Sequence, residues 1–190
     1  DASVPIFDDT RISGDATLIG KLTNARTEGD ITDGPGGPGK LIKTGSATVR
    51  LRPASALTYS GGTEVRQGRL FVESSGGLGT GDVEVWANGL LELDSSTAIT
   101  GDQILTVLAS GSNYGTVRLD SSVSVFGMIL GETIIDAGIY DATSFAKGTD
   151  FSNYFTGAGT ITVVNSIPEP ASLTLVGLAG LLALRRRRGG

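Results

Sequence analysis

The sequence predicts an all-β protein, a right-handed parallel β-helix (solenoid) of short irregular coils, with a C-terminal transmembrane helix. Three observations point there. The 29 Gly, with abundant Thr, Ser and Val, suit many short strands joined by tight turns. From Leu41 onward the apolar pattern has period two, the period of a half-buried strand. Aromatic residues make up only 6% of the chain, which favours a narrow interior over a thick core. A β-sandwich with hairpins is the alternative, because the same spacing serves it.

The elements follow in order. Residues 1–38 are weakly patterned and read as an irregular segment, with one candidate strand over Ala16–Leu22 and a Gly/Pro/Asp loop from Asp30 to Gly39. Residues 39–100 carry the clear alternation. Val49 and Leu51 alternate with Arg50 and Arg52, and Leu70 and Val72 with Arg69, Phe71 and Glu73. Val83 and Val85 alternate with Glu84 and Trp86, and Leu91 and Leu93 with Glu92. Gly45, Gly61-Gly62, Gly68, Gly79, Gly81 and Asn88-Gly89 punctuate these runs. Residues 101–165 hold a weaker echo and read as a β-rich capping segment, since an uncovered last coil would expose an edge.

Composition excludes several classes of function. There is no Cys and no His, so disulfides, thiol chemistry, the usual zinc sites and His-based triads are out. Setting aside Arg185–Arg188 leaves 11 basic against 20 acidic side chains, a body of about −9. That balance argues against nucleic acid as a partner. The chain starts at Asp1 with no initiator Met and no charged-then-apolar leader, so we expect the C-terminal part of a longer precursor.

Several candidate sites are weighed on their chemistry. Gly34-Pro-Gly-Gly-Pro-Gly39-Lys40 matches half of a phosphate-binding loop, but Pro35 and Pro38 lack N–H donors, Leu41 stands where Ser or Thr is needed, and a strand follows. Glu28, Asp30 and Asp33, with Asp8, Asp9 and Asp15, offer oxygens for Ca²⁺ without a recognised calcium-loop spacing. Glu64, Glu73, Glu84, Glu92 and Asp94 are expected outward, with Arg50, Arg52, Arg66 and Arg69 on the same side. Cross-strand charge pairs account for them without catalysis. Tyr59, Trp86 and Tyr114 are a candidate sugar-stacking platform or, alternatively, covers for the core. The expectation is no enzyme, no metal and no cofactor.

The C-terminal tail is ordered like an address. Pro168, Glu169 and Pro170 precede Ala171–Leu184, an uncharged run that includes Ser172, Leu173, Leu175, Val176, Leu178, Leu181, Leu182 and Leu184. Arg185, Arg186, Arg187 and Arg188 follow and mark a cytoplasmic end by the positive-inside rule. Fourteen helical residues span only ~21 Å, short of a ~30 Å hydrocarbon core, which suits transient insertion better than a permanent span.

Two resemblances follow from these residues. The arrangement over 167–188 resembles the PEP-CTERM sorting signal of Gram-negative bacteria, which exosortase enzymes process. That resemblance implies recognition at Pro168–Pro170, insertion through Ser172–Leu184, topology set by Arg185–Arg188, and transient anchoring in the bacterial inner membrane. Residues 39–73 are similar to the autotransporter-associated β-strand repeat. They carry it in Leu41-Ile-Lys43-Thr-Gly45, Thr48-Val-Arg-Leu51, and Tyr59-Ser-Gly61-Gly62-Thr63-Glu-Val65-Arg-Gln-Gly68-Arg-Leu70-Phe-Val72. Ala47 and Leu57 depart from that pattern, as do two extra residues before Tyr59. Together they imply an exported structural or adhesive β-helix protein of the cell envelope, cell surface or extracellular matrix. Extracellular polysaccharide is a candidate partner. A polysaccharide-binding or polysaccharide-degrading β-helix protein is the alternative.

Overall fold

The computed structural model describes residues 5–6, 10–12, 14–19, 25–27, 30–52, 57–73 and 77–167, with side chains from residue 30 onward. The first strands are β1 (Pro5–Ile6), β2 (Thr10–Ile12), β3 (Gly14–Ile19), β4 (Ala25–Thr27) and β5 (Ile31–Asp33). Three strand pairs follow: β6 (Gly39–Thr44) with β7 (Thr48–Leu51), β8 (Thr63–Val65) with β9 (Gly68–Val72), and β10 (Val83–Val85) with β11 (Gly89–Leu93). Then come β12 (Ile104–Val107), a small hairpin of β13 (Ala109–Ser110) and β14 (Asn113–Tyr114), and β15 (Thr116–Leu119). The last strands are β16 (Val123–Val125), β17 (Gly127–Leu130), β18 (Thr133–Ile135), β19 (Gly138–Tyr140), β20 (Phe145–Ala146), β21 (Thr149–Asp150), β22 (Phe155–Gly157) and β23 (Ile161–Val163).

These strands wind into a β-solenoid of about four turns. One sheet runs β3-β6-β8-β10-β12-β17-β18 and the other β1-β4-β7-β9-β11-β15-β22. Every pairing in them is parallel except β17 with β18. Parallel pairing between successive coils removes the β-sandwich alternative, because hairpin-joined strands would pair antiparallel. Leu41, Thr63, Val83, Leu105 and Met128 lie in one register column, 22, 20, 22 and 23 residues apart. Each coil is therefore two short strands, a tight corner and an irregular return.

The period-two pattern builds the core directly. Val49, Leu70, Leu91, Val117 and Phe155 form one inner column, and Leu51, Val72, Leu93 and Leu119 the next. All of them are buried. The irregular return supplies Leu57, Tyr59, Leu78, Ala98 and Ile99 to the same core. It is held by Thr58 N–H to Ile31 O at 3.0 Å, Leu78 N–H to Ala98 O at 2.9 Å and Thr80 N–H to Tyr59 O at 2.9 Å. The corner at Gly68 requires glycine. Its φ is +69°, and a Cβ there would press on the Gly45 carbonyl and lie 2.8 Å from the Ser46 carbonyl carbon.

One inner position breaks the apolar rule. Lys43 stands in the column of Val65, Val85, Val107 and Leu130 and is fully buried. Its ammonium donates to Thr44 O at 2.8 Å, Gly45 O at 2.7 Å and Gln67 O at 2.8 Å. Those carbonyls belong to the corners of two successive coils, so one cation joins both. Burial pulls the Lys43 pKa down from its ordinary value.

Segment 1–38, expected to be irregular, instead supplies strands to the stack. β3 pairs with β6 over six residues and β4 with β7 over three. β3 overlaps the strand expected over Ala16–Leu22 and starts two residues earlier, at Gly14. Its place comes from the backbone of the next coil, a tertiary cause. The ladders also run on across residue 100 through β12 and β15.

The far end is built differently. β18 folds back antiparallel on β17, and β19 lies antiparallel to β23, which runs parallel to β16. A short 3₁₀ turn, Phe151–Asn153, leads into β22 and is capped by the Asp150 carboxylate, which accepts from Ser152 N–H. Aromatic rings fill this end. Tyr140 stacks on Phe151 at 5.0 Å and Phe151 on Phe155 at 5.8 Å, while Tyr114 meets Tyr154 edge to face at 5.0 Å.

Candidate functional site

Two places carry functional potential: a polar groove on the outer face of the first sheet, and the point where the chain leaves the last coil. The groove has a volume of about 460 Å³, and Lys40, Glu64, Asp82, Glu84 and Thr106 line it. Glu64 and Glu84 are register partners on β8 and β10, so their backbones lie one strand spacing apart, ~4.8 Å, and both side chains line the groove. Glu64 is buried and held by two cations. Lys40 Nζ meets its Oε1 at 2.7 Å, and Arg66 meets its Oε2 at 2.6 Å through Nη2 and 2.8 Å through Nε. Burial pushes the Glu64 carboxyl up, but the hydrogen bonds and charges of Lys40 and Arg66 together outweigh it and hold the pKa below the ordinary value. Glu84 moves the other way, raised by burial and by the charge of Glu64.

The groove is a polar ledge with one ion-paired carboxylate, Glu64, and one whose pKa is raised, Glu84. It can accept hydrogen bonds from hydroxyl-bearing ligands. Lys40 sits in strand β6 and engages Glu64, so it forms no phosphate cradle. Asp33 is equally committed. Its Oδ1 accepts from Gly39 N–H at 2.7 Å and Ser60 N–H at 3.0 Å, and its Oδ2 from the Ser60 hydroxyl at 2.6 Å. The Ser60 hydroxyl, then the Gly39 and Ser60 amides, hold its pKa low. Among the described residues no three metal-ligating carboxylates converge. Glu28, Asp8 and Asp9 lie outside the described residues, as does the side chain of Asp15.

The outward charges divide between two faces, where one shared side was expected. Glu64, Arg66 and Glu84 belong to the first sheet and its corner. Arg50, Arg69, Glu73 and Glu92 belong to the second. On the second face Arg50 meets Glu73 at 3.2 Å, Arg52 meets Glu73 at 3.6 Å, and Arg69 pairs with Glu92. The guanidinium groups of Arg50 and Arg69 each lie 5.1 Å from the Phe71 ring centre. Each cross-strand ion pair here joins neighbouring coils, as the pattern of alternating charge predicts. A strand periodicity tells inside from outside but not which of two sheets a strand enters.

The aromatic platform is not assembled. Tyr59 is fully buried, its hydroxyl 2.5 Å from Thr63 Oγ1, and burial raises its pKa. Trp86 is exposed beneath Arg66 at 5.3 Å, and Tyr114 packs on Tyr154 at the other end of the core. Tyr59 lies where the irregular return needs a large filler, so it points in.

At the exit, the fold holds the chain until residue 167. Val164 N–H donates to Val125 O at 2.9 Å and Asn165 N–H to Phe126 O at 2.8 Å. Ser166 Oγ accepts from Ala137 N–H at 3.1 Å. The Ile167 side chain lies against Gly127, within 2.7 Å of where a Cβ on that glycine would sit. Pro168, Glu169, Pro170, the run Ser172–Leu184 and Arg185–Arg188 lie outside the described residues, and so does the expected transmembrane helix. No helix among the described residues is long and apolar enough to cross a membrane.

The fold thus defines an all-β solenoid whose last strand runs straight into its tail. Residues 166–188 of that tail match the PEP-CTERM protein-sorting motif. The motif implies exosortase-dependent export to the cell envelope or surface. No curated protein and no solved structure matches the chain. The match starts at Ser166, so its first two residues are part of the folded body. The sequence pattern marks 167–188, one residue short of the match, and gives no sign that Ser166 and Ile167 are anchored, because their partners Ala137 and Gly127 are distant in sequence. Lys43 was legible only as a repeat letter, and its buried cationic role carries no local signal.

Proposed function

We propose that this protein is an exported structural or adhesive β-solenoid, with a removable C-terminal tail that inserts transiently in the inner membrane and is processed by an exosortase-type enzyme. The observation that carries this reading is the sorting motif at 166–188, directly continuous with a closed solenoid end. The uncharged run and four arginines support the insertion step. We also propose kinship of 39–73 with the autotransporter-associated β-strand repeat. In its favour, the two halves of that pattern fall on β6–β7 and β8–β9, two successive coils. We take the winding as right-handed, the sense that parallel crossover connections almost always adopt.

For the body we propose a binding or scaffolding role without catalysis, with extracellular polysaccharide as the ligand class. The groove around Glu64 and Glu84 favours hydroxyl-rich ligands, and the tie of Glu64 to Lys40 and Arg66 disfavours proton transfer by that group. The test of the whole reading is cell fractionation of the full chain. Replacing Pro168–Pro170 by alanine is expected to leave a longer, membrane-retained species. Replacing Arg185–Arg188 by glutamine is expected to release the chain or misdirect it. Unchanged size and location in both variants would overturn the reading.

A further inference from the structure

The body ends in an apolar sheet face beside the tail. β16, β23 and β19 form a three-stranded sheet, with Val125 opposite Val163 and Ile139 opposite Thr162. Ile161 and Val163 point into the core, so Thr162 and Val164 point out. One register step beyond Val125 and Val163 places Phe126 beside Val164, and the Asn165 N–H bond to Phe126 O continues that ladder. Ile139 lies on the same face, diagonal to Val164 at ~7–8 Å. Ile139 is 71% exposed, Val164 50% and Phe126 38%. These are three of the five large hydrophobic side chains exposed among the described residues.

The length of the following chain says what covers this face. Ile167 is docked on Gly127, and the apolar run begins at Ala171. Four residue steps reach at most ~14 Å. The apolar run spans ~21 Å as a helix against a ~30 Å hydrocarbon core, and a short span draws its flanks toward the bilayer. A body tethered that closely cannot stand clear of the headgroup layer. The face next to the tether is the apolar one.

We propose that the outer face of β16–β23–β19, through Phe126, Ile139 and Val164, seats on the lipid surface into which the tail inserts. This rests on the reading of the tail as an inserted segment. The occupant is the interfacial zone of a bilayer, where apolar side chains bury a few ångströms deep. A zwitterionic surface suits the acidic body better than an anionic one. While seated, the body holds the sorting motif at the membrane plane.

The chain has no Cys, so single spin labels can be placed without background. Full-length chains carrying Phe126→Cys, Ile139→Cys, Val164→Cys, Ser112→Cys or Leu178→Cys are labelled and reconstituted in phosphatidylcholine vesicles. Collision of each label with oxygen and with a water-soluble nickel complex is then measured. The expected result is a lipid-immersed label at 178 and an oxygen-to-nickel ratio at 126, 139 and 164 about threefold or more above that at 112. A lipid-immersed 178 with 126, 139 and 164 at the level of 112 overturns the seat and leaves the tail reading standing. An aqueous 178 overturns the tail reading and the seat with it. Shielding of 126, 139 and 164 that arises only when a processing enzyme is added overturns the lipid assignment in favour of a protein partner.

Discussion

The middle of the solenoid and its C-terminal end solve different problems with the same strand material. In the middle, each strand has a parallel neighbour on both sides, and one side-chain position recurs every 20 to 23 residues. Branched aliphatic groups fill the strand positions there, with Tyr59 in the return, because each coil covers the one before it. At the end no further coil arrives. The chain turns antiparallel at β18 and β19 and brings Phe151, Tyr154 and Phe155 into the core. Stacking is therefore maintained by repetition, and closure by a few large residues.

Three substitutions test that contrast. The largest effect is expected at the closed end, where Phe151→Ala removes the ring between Tyr140 and Phe155 and should cost about 3–5 kcal/mol. If closure and stacking are distinct, hydrogen exchange should accelerate first in β17–β19 and β22–β23, with β8–β11 retaining protection. Uniform loss would erase the distinction. Next is Lys43→Met, which keeps the size but leaves three buried corner carbonyls without their donor. It should cost about 2–4 kcal/mol in urea titrations, whereas Val65→Met, one coil further along the same column, should cost less than 3 kcal/mol by overpacking alone.

The smallest effect lies on the groove. Glu84 has a folded pKa raised above its ordinary 4.5, so the folded chain keeps a proton that the unfolded chain has lost. Stability from this group therefore falls as pH rises from about 4.5 through the raised value. Glu84→Gln should remove that slope and add up to about 0.5 kcal/mol at pH 7, with little difference at pH 4, read from urea midpoints. Glu64 contributes with the opposite sign. Its lowered pKa stabilises the fold above 4.5, and that stability is lost as pH falls through the lowered value.

The same contrast explains what could be read from the sequence. Val49, Leu51, Leu70, Val72, Val83, Val85, Leu91 and Leu93 were legible as core because period two is a local signal, and every one is buried. The choice of a stacked solenoid also followed from short strands and glycine corners. Pairing in the N-terminal strands, the division of charges between two faces and the aromatic closure were not legible, because each depends on which coil lies next door. At the candidate site the tail motif announced itself by residue order. Its mooring did not, since Ile167 meets Gly127 some forty positions earlier.

The register of the closing strands has a bearing on timing. Consider a chain that crosses a membrane with its N-terminus leading. Each coil then emerges next to a coil already formed, and pairing proceeds in the order of arrival. β22 and β23 must return to β15 and β16, so the end of the body can close only when residues 155–163 have come through. The motif follows within a few residues. Completion of the fold and delivery of the address are thus nearly one event, and a body that fails to close presents its address on a slack leash.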